Sequence, residues 1–150
     1  MKIRHILVTT DLSEPSLRPC EPIREFARQH GARVTFLHCV PTLIGLPHGA
    51  PFAPPIQPPS MDRELESARE RLESWRDELA WDDVPVEVAL IEGDDVGQRI
   101  HEWALQNEVD LIALSTHGHT GLRRLVLGSA AEDILRHSDV PVIAFPMRNA

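Results

Sequence analysis

The residues that point most directly to chemistry lie between positions 115 and 129. They run Ser115-Thr116-His117-Gly118-His119-Thr120-Gly121, then six residues, then Gly128-Ser129. This segment leaves an apolar run, turns through glycines and ends at Ser129-Ala130-Ala131-Glu132. That ending reads as a capping box, with a Ser N-cap and a Glu three residues on. The free N–H groups of a helix start, together with the helix dipole, form an anion site. Small side chains at Ala130 and Ala131 let phosphate oxygens come close. A glycine-bearing loop ahead of an ordinary Ser N-cap satisfies the same spacing, since glycines are common loop punctuation. Spacing alone leaves both readings open.

Other groups carry less. Asp11 follows the first apolar run and suits capping of the turn after it, by accepting backbone N–H bonds. His117 and His119 stand two residues apart without a third ligand in sequence, a weak zinc pattern. His38 and Cys39 are adjacent on a predicted strand, so they point to opposite faces and do not chelate together. A divalent cation such as Mg or Mn, held chiefly through the phosphates of a ligand, is more plausible than a zinc site. Arg123 and Arg124 either reach phosphates or solvate their loop, and solvation is the commoner use of such residues. Thr116-His117-Gly118-His119 matches the T-x-G-H pattern of nucleotidyltransferases. There the motif follows the first strand and here it follows a fourth, which excludes that reading. The chain has no GxxxxGK[ST] loop, no GxGxxG after its first strand and no GxSxG elbow. The chain has no Walker lysine, and Asp11, His117 and His119 are its general-base candidates.

Strands alternating with helices must position these groups. Residues 5–10 (HILVTT), 33–40 (RVTFLHCV), 85–91 (PVEVALI), 110–115 (DLIALS) and 141–145 (PVIAF) are short apolar, β-rich runs. Continuous runs of this kind suit strands buried on both faces. The first helix has Ile23, Phe26 and Ala27 on its inner face and Gly31 as its stop. Pro19 and Pro22 make its first turn irregular, or place its true start near Pro22. A second helix spans about 60–80, with Leu65, Ala68, Leu72, Trp75 and Leu79 inward and a solvated Glu/Arg face outward. A third opens at Gly93-Asp94-Asp95-Val96, where Asp95 and Gln98 resemble a capping box, with Val96, Ile100, Trp103 and Ala104 inward. The fourth follows Ser129 and runs to about His137.

The order β-α-β-(loop)-α-β-α-β-α-β predicts an α/β fold. It is a five-stranded, mostly parallel, doubly wound sheet with helices on both faces. Ligands of such sheets sit outside the carboxyl ends of the strands at the switch point. The positions to inspect are therefore Thr10-Asp11, Val40-Pro41, Glu92-Gly93 and the segment 115–129.

A length of 150 residues suits one domain. A net charge of −8 argues against nucleic acid and against a polybasic membrane surface. It leaves room for an anion held by backbone amides. No apolar stretch reaches the 18 or so residues of a spanning helix, and no signal-peptide h-region follows Met1. The expectation is a soluble, cytoplasmic chain. Cys20 and Cys39, far apart, read as reduced buried thiols. Seven of the 13 prolines fall at 41–59. This marks a long excursion leaving the second strand, with a polyproline-prone stretch at 50–59 fit to serve as a protein ligand.

The segment 115–129 resembles the nucleotide-binding signature of the universal stress protein family: Gly, two residues, Gly, nine residues, then Gly with Ser or Thr. Gly118, the nine residues 119–127, Gly128 and Ser129 fit it, while Ser115 stands where the first glycine would be. HILVTTDLSEPS is similar to the family's first strand and Asp turn. GDDVGQRIHEWALQNEVDLIALSTHGHTG is similar to its third helix and fourth strand, and HSDVPVIAFP to its last strand. The likeness covers nearly the whole chain.

What the resemblance implies is a Rossmann-like fold of the adenine nucleotide alpha hydrolase type that binds ATP. Carried over by position, Asp11 with Thr10 and Leu12 lies near the adenosine end, and Val40 touches adenine through its backbone. Leu114 and Ser115 line ribose and phosphate. Gly118, His119, Gly128, Ser129 and Ala130 hold the phosphates. The Ser115 hydroxyl either crowds the nucleotide or hydrogen-bonds it. The resemblance also implies a nucleotide-dependent regulator or sensor of stress rather than a metabolic catalyst. ATP would act by population shift on residues 41–60 and 116–127. It further implies a homodimer paired through the final strand, whose apolar edge needs cover. A nucleotide-independent interaction module and a slow ATP hydrolase are the alternatives.

Overall fold

Five apolar runs pair into one sheet, in which the three central runs are largely buried and the two outer ones, at 86–92 and 142–146, are half-buried to exposed. A computed structural model describes residues 1–42, 61–116 and 129–146. Its strands are β1 (His5–Thr9), β2 (Arg33–Val40), β3 (Val86–Glu92), β4 (Leu111–Thr116) and β5 (Val142–Pro146), in the order β3-β2-β1-β4-β5. Every pairing is parallel. Registers such as Leu7 opposite Thr35 and Ile112 align the strand ends, so all five carboxyl ends open on one side.

Alternation along the strands feeds two cores. Ile6, Val8, Val34, Phe36, Leu111 and Ala113 face α1 (Cys20–His30) and α2 (Met61–Leu79), where Ile23, Ala27, Ala68 and Leu72 meet them. Leu7, Leu37, Ile112 and Leu114 face α3 (Val96–Gln106) and α4 (Ser129–His137), against Ile100, Ala104 and Ile134. Helices on both faces give the doubly wound α/β architecture expected, with the switch point between β1 and β4.

Local chemistry sets the element ends. Gly31 closes α1 at φ 64°, the left-handed cap that a Cβ disfavours. A 3-10 turn (Glu14–Leu17) precedes α1. The helix starts at Cys20, so Pro22 lies inside the first turn rather than opening it. First-turn amides have no helical acceptor, so a proline there removes no bond. At α3, Asp95 is the N-cap and its side chain accepts from the Gln98 N–H at 3.1 Å. The return half of the expected box is absent, because the Gln98 amide donates to Glu102 at 2.9 Å instead. α4 begins on Ser129 itself, one residue earlier than the sequence suggests. Gly97 lets α3 approach α4: a Cβ there would lie 2.7 Å from the Asp133 Cβ.

Among the described residues, no helix is long and apolar enough to cross a membrane.

Candidate functional site

The carboxyl end of β1 is where the described site residues gather. Thr10 N–H extends the ladder to the Leu37 carbonyl at 2.9 Å, after which the chain turns sharply. The turn is held by a one-way relay of hydrogen bonds. Leu12 N–H donates to Thr10 Oγ1 (3.0 Å), and Ser16 Oγ donates to the Ser13 carbonyl (2.6 Å). The Ser16 hydroxyl proton is thereby used, so Thr10 Oγ1 donates to Ser16 Oγ at 2.6 Å. The Asp11 carboxylate accepts from Ser13 N–H at 3.0 Å and from the Ser13 hydroxyl. This is the capping role that its position after a strand suggests.

Three side chains from three other elements grip carbonyls of this turn. His38 of β2 bonds the Thr10 carbonyl through Nδ1 at 2.8 Å. A carbonyl only accepts, so Nδ1 carries the proton. Arg71 of α2 donates to the Leu12 carbonyl at 2.7 Å, and Ser115 of β4 donates to the Pro15 carbonyl at 3.3 Å.

Two clefts flank the sheet edge. One, of about 340 Å³, lies toward α3 and α4. Thr10, Asp11, Val96, Ile100 and Ala130 are among the residues lining it. The other, of about 440 Å³, lies toward α2, with Leu12, Val40, Arg63, Ser67 and Arg71 in its wall. His38 and Pro41 line both, so the end of β2 is the ridge between them.

Of the residues carried over by position, Thr10, Asp11 and Ala130 therefore share one cleft, and Leu12 and Val40 share its neighbour. Leu114 is 2% exposed in the core, and Ser115 is buried beneath the turn; neither lines these two clefts. The Ser115 hydroxyl is directed at Pro15, an option that neither expectation for it included. Gly118, His119 and Gly128 fall outside the described residues, as do His117, Arg123 and Arg124; Ser129 is described only as the first residue of α4.

Sequence reasoning missed His38 and Arg71 as parts of the site. Arg71 was grouped with the solvated face of α2, but its guanidinium turns back to Leu12. The overlooked signal was its place next to the core residue Leu72.

The thiols are not reactive groups. Cys20 and Cys39 are free and buried, and burial raises their pKa values to about 12 and about 11. Among the described residues, no group of three or more His, Cys, Asp or Glu is placed to hold a metal. The arrangement offers a turn carboxylate, small residues at a helix start and apolar walls, which suits a ligand with an anionic end and a flat apolar part.

The universal stress protein family model matches residues 2–146. The chain belongs to the universal stress protein family. Universal stress protein A homolog 1 of Coxiella burnetii is 31% identical over 149 residues, covering 99% of each chain. The solved structure of protein MJ0577 of Methanocaldococcus jannaschii superposes with a TM-score of 0.72 at 22% identity, covering 100% of both chains. The universal stress protein from Archaeoglobus fulgidus, solved in complex with dAMP, does so at 0.66 and 21%, covering 96% of this chain and 98% of that one. These likenesses place this family member's sheet and helices in the family fold.

Proposed function

We propose that this family member binds an adenine nucleotide, ATP in its working form, at the carboxyl edge of the sheet. The observation that carries the reading is the shared cleft of Thr10, Asp11 and Ala130. There a turn carboxylate faces the first turn of a helix that begins Ser-Ala-Ala. A carboxylate suits ribose hydroxyls or the base, and the amides and dipole of α4 suit phosphate. The dAMP complex of the Archaeoglobus fulgidus relative supports an adenosine-type ligand. In this reading Leu12 and Val40 border the base, and Leu114 and Ser115 act from beneath. Gly118, His119, Gly128 and Ser129 complete the phosphate side, with Mg or Mn held through the phosphates. The nucleotide acts as a regulatory ligand of a cytoplasmic stress protein. A homodimer forms through β5, an edge strand of the sheet, where Ile143 is 37% exposed.

The test is direct. Protein purified without added nucleotide is denatured and its supernatant chromatographed with absorbance at 260 nm. Stripped protein is then melted with ATP and magnesium, AMP, or GTP. Adenine nucleotide recovered from the protein, or a melting temperature raised by ATP and AMP more than by GTP, supports the reading. No recovered nucleotide and no shift at millimolar ATP overturns it and leaves the nucleotide-independent interaction module.

A further inference from the structure

We propose that Arg71 is a positioning residue of the nucleotide site: from helix α2 it holds the left-handed peptide at Leu12 and so aims Asp11. Leu12 has φ 65°, a conformation that a residue bearing a Cβ adopts at a cost and keeps only where its surroundings over-determine it. Here each part of Leu12 is committed. Its N–H donates to Thr10 Oγ1, its side chain is 8% exposed in the core, and its carbonyl accepts from Arg71 Nη2 at 2.7 Å.

The other bonds constrain the turn differently. The Thr10–Ser16–Ser13 relay closes within the turn and moves with it. His38 grips Thr10, whose place the β1–β2 ladder already sets. Ser115 reaches Pro15, three residues beyond Leu12. From outside the turn, Arg71 grips the Leu12–Ser13 peptide, whose N–H holds the Asp11 carboxylate. Its bond is charge-assisted, the stronger class. It spans 59 residues of chain, so the aim of Asp11 depends on how α2 seats against β2 and β3. Arg71 and Leu12 also line the same cleft as Val40, which places the clamp in the wall of the site rather than behind it.

The proposal rests on nucleotide binding at this edge, and its test separates the two. Full-length wild type, Arg71→Met and Arg71→Lys are titrated with AMP by calorimetry. The ligand-free melting temperature and the backbone amide exchange of each are measured alongside. Loss of the clamp is expected to weaken AMP by about tenfold in Arg71→Met. Its ligand-free melting temperature should stay close to wild type, with amide exchange faster at Leu12, Ser13 and Ser16. Arg71→Lys, which restores a single donor, should recover most of the affinity. Wild-type affinity in Arg71→Met overturns the proposal. So does a loss of affinity matched by a fall in melting temperature with faster exchange across α2 and β3, since Arg71 would then be a general stabiliser. If the wild type itself binds no AMP, the nucleotide reading fails, and the exchange arm still decides the clamp. Faster exchange confined to the turn supports it, and unchanged exchange there overturns it.

Discussion

The hydroxyl of Ser115, at the end of β4, donates to the carbonyl of Pro15 in the 3-10 turn at 3.3 Å. The resemblance puts this serine at the place of a motif glycine, and its polar atom ties β4 to the turn that carries Asp11. Its hydroxyl therefore serves the fold. Ser115→Gly should lower stability by about 1–2 kcal/mol, from the lost bond and the added chain entropy of glycine in a strand. Its AMP affinity should stay within about threefold of wild type. Urea unfolding and calorimetric titration check both parts, and a marked gain in affinity would show that the serine crowds the ligand.

A second prediction concerns the seam between α3 and α4. Gly97 and Asp133 are close enough that a Cβ on residue 97 meets the Asp133 Cβ at 2.7 Å, a backbone-fixed atom that cannot swing aside. Gly97→Ala must push the helices apart. Overpacking of this kind costs about 1–3 kcal/mol, more than the helix propensity that alanine regains. Val96 and Ile100 of α3 face Ala130 and Ile134 of α4 across the 340 Å³ cleft, so its shape should change with the separation. The expected outcome is a lower urea midpoint together with weaker nucleotide binding. Unchanged stability would mean that α4 shifts freely.

Much of this was legible in the sequence. The expected strand at 33–40 coincides with β2 (Arg33–Val40), and the inner faces of α1, α2 and α3 pack as their periodicity demands. Buried parallel strands and amphipathic helices write their environment into consecutive residues, so both can be read locally. The capping role of Asp11 was legible for the same reason, since its acceptors' partners lie two residues on. The left-handed Leu12, the Arg71 bond to it and the Ser115 bond to Pro15 were not. Each joins groups 59 to 100 residues apart, or depends on a φ value that Leu does not announce. Gln98 shows the limit of motif reading: its backbone obeyed the capping box, while its side chain found Glu102.

Acid should weaken the fold through His5. This side chain is 3% exposed, with Nδ1 against the Asn107 carbonyl (3.0 Å) and Nε2 against Thr35 Oγ1 (2.8 Å), edge-on to Trp103. Burial is the main cause of a pKa held below the ordinary 6.5, and the Arg33 charge adds to it. The Asn107 bond and the charges of Glu87 and Asp110 oppose it. In this window the unfolded chain binds the proton more readily than the folded one. His5 therefore contributes its full stability above pH 6.5, and that contribution is lost as pH falls below 6.5 toward the folded value. Urea midpoints measured from pH 8 to 5 should decline more steeply for wild type than for His5→Gln. Equal slopes would show that His5 is not the titrating group.

The sharpest separation of fold from site is available at Ala130. This residue stands in the first turn of α4 and lines the cleft with Asp11. A carboxylate in the first turn of a helix is favourable to the helix, because it meets the positive end of the dipole and the unpaired amides. The same carboxylate occupies the place proposed for phosphate and repels it. Ala130→Asp should therefore leave the ligand-free protein about as stable as wild type, within roughly 1 kcal/mol. It should also reduce AMP and ATP affinity by more than about tenfold, with ATP losing more because it carries more charge. Adenosine, which has no phosphate, should bind the variant about as well as it binds wild type. Thermal melts with and without each ligand read all three arms. Equal loss of adenosine and AMP would mean that the cleft is blocked by volume rather than charge. Undiminished AMP binding would move the phosphate away from α4 altogether.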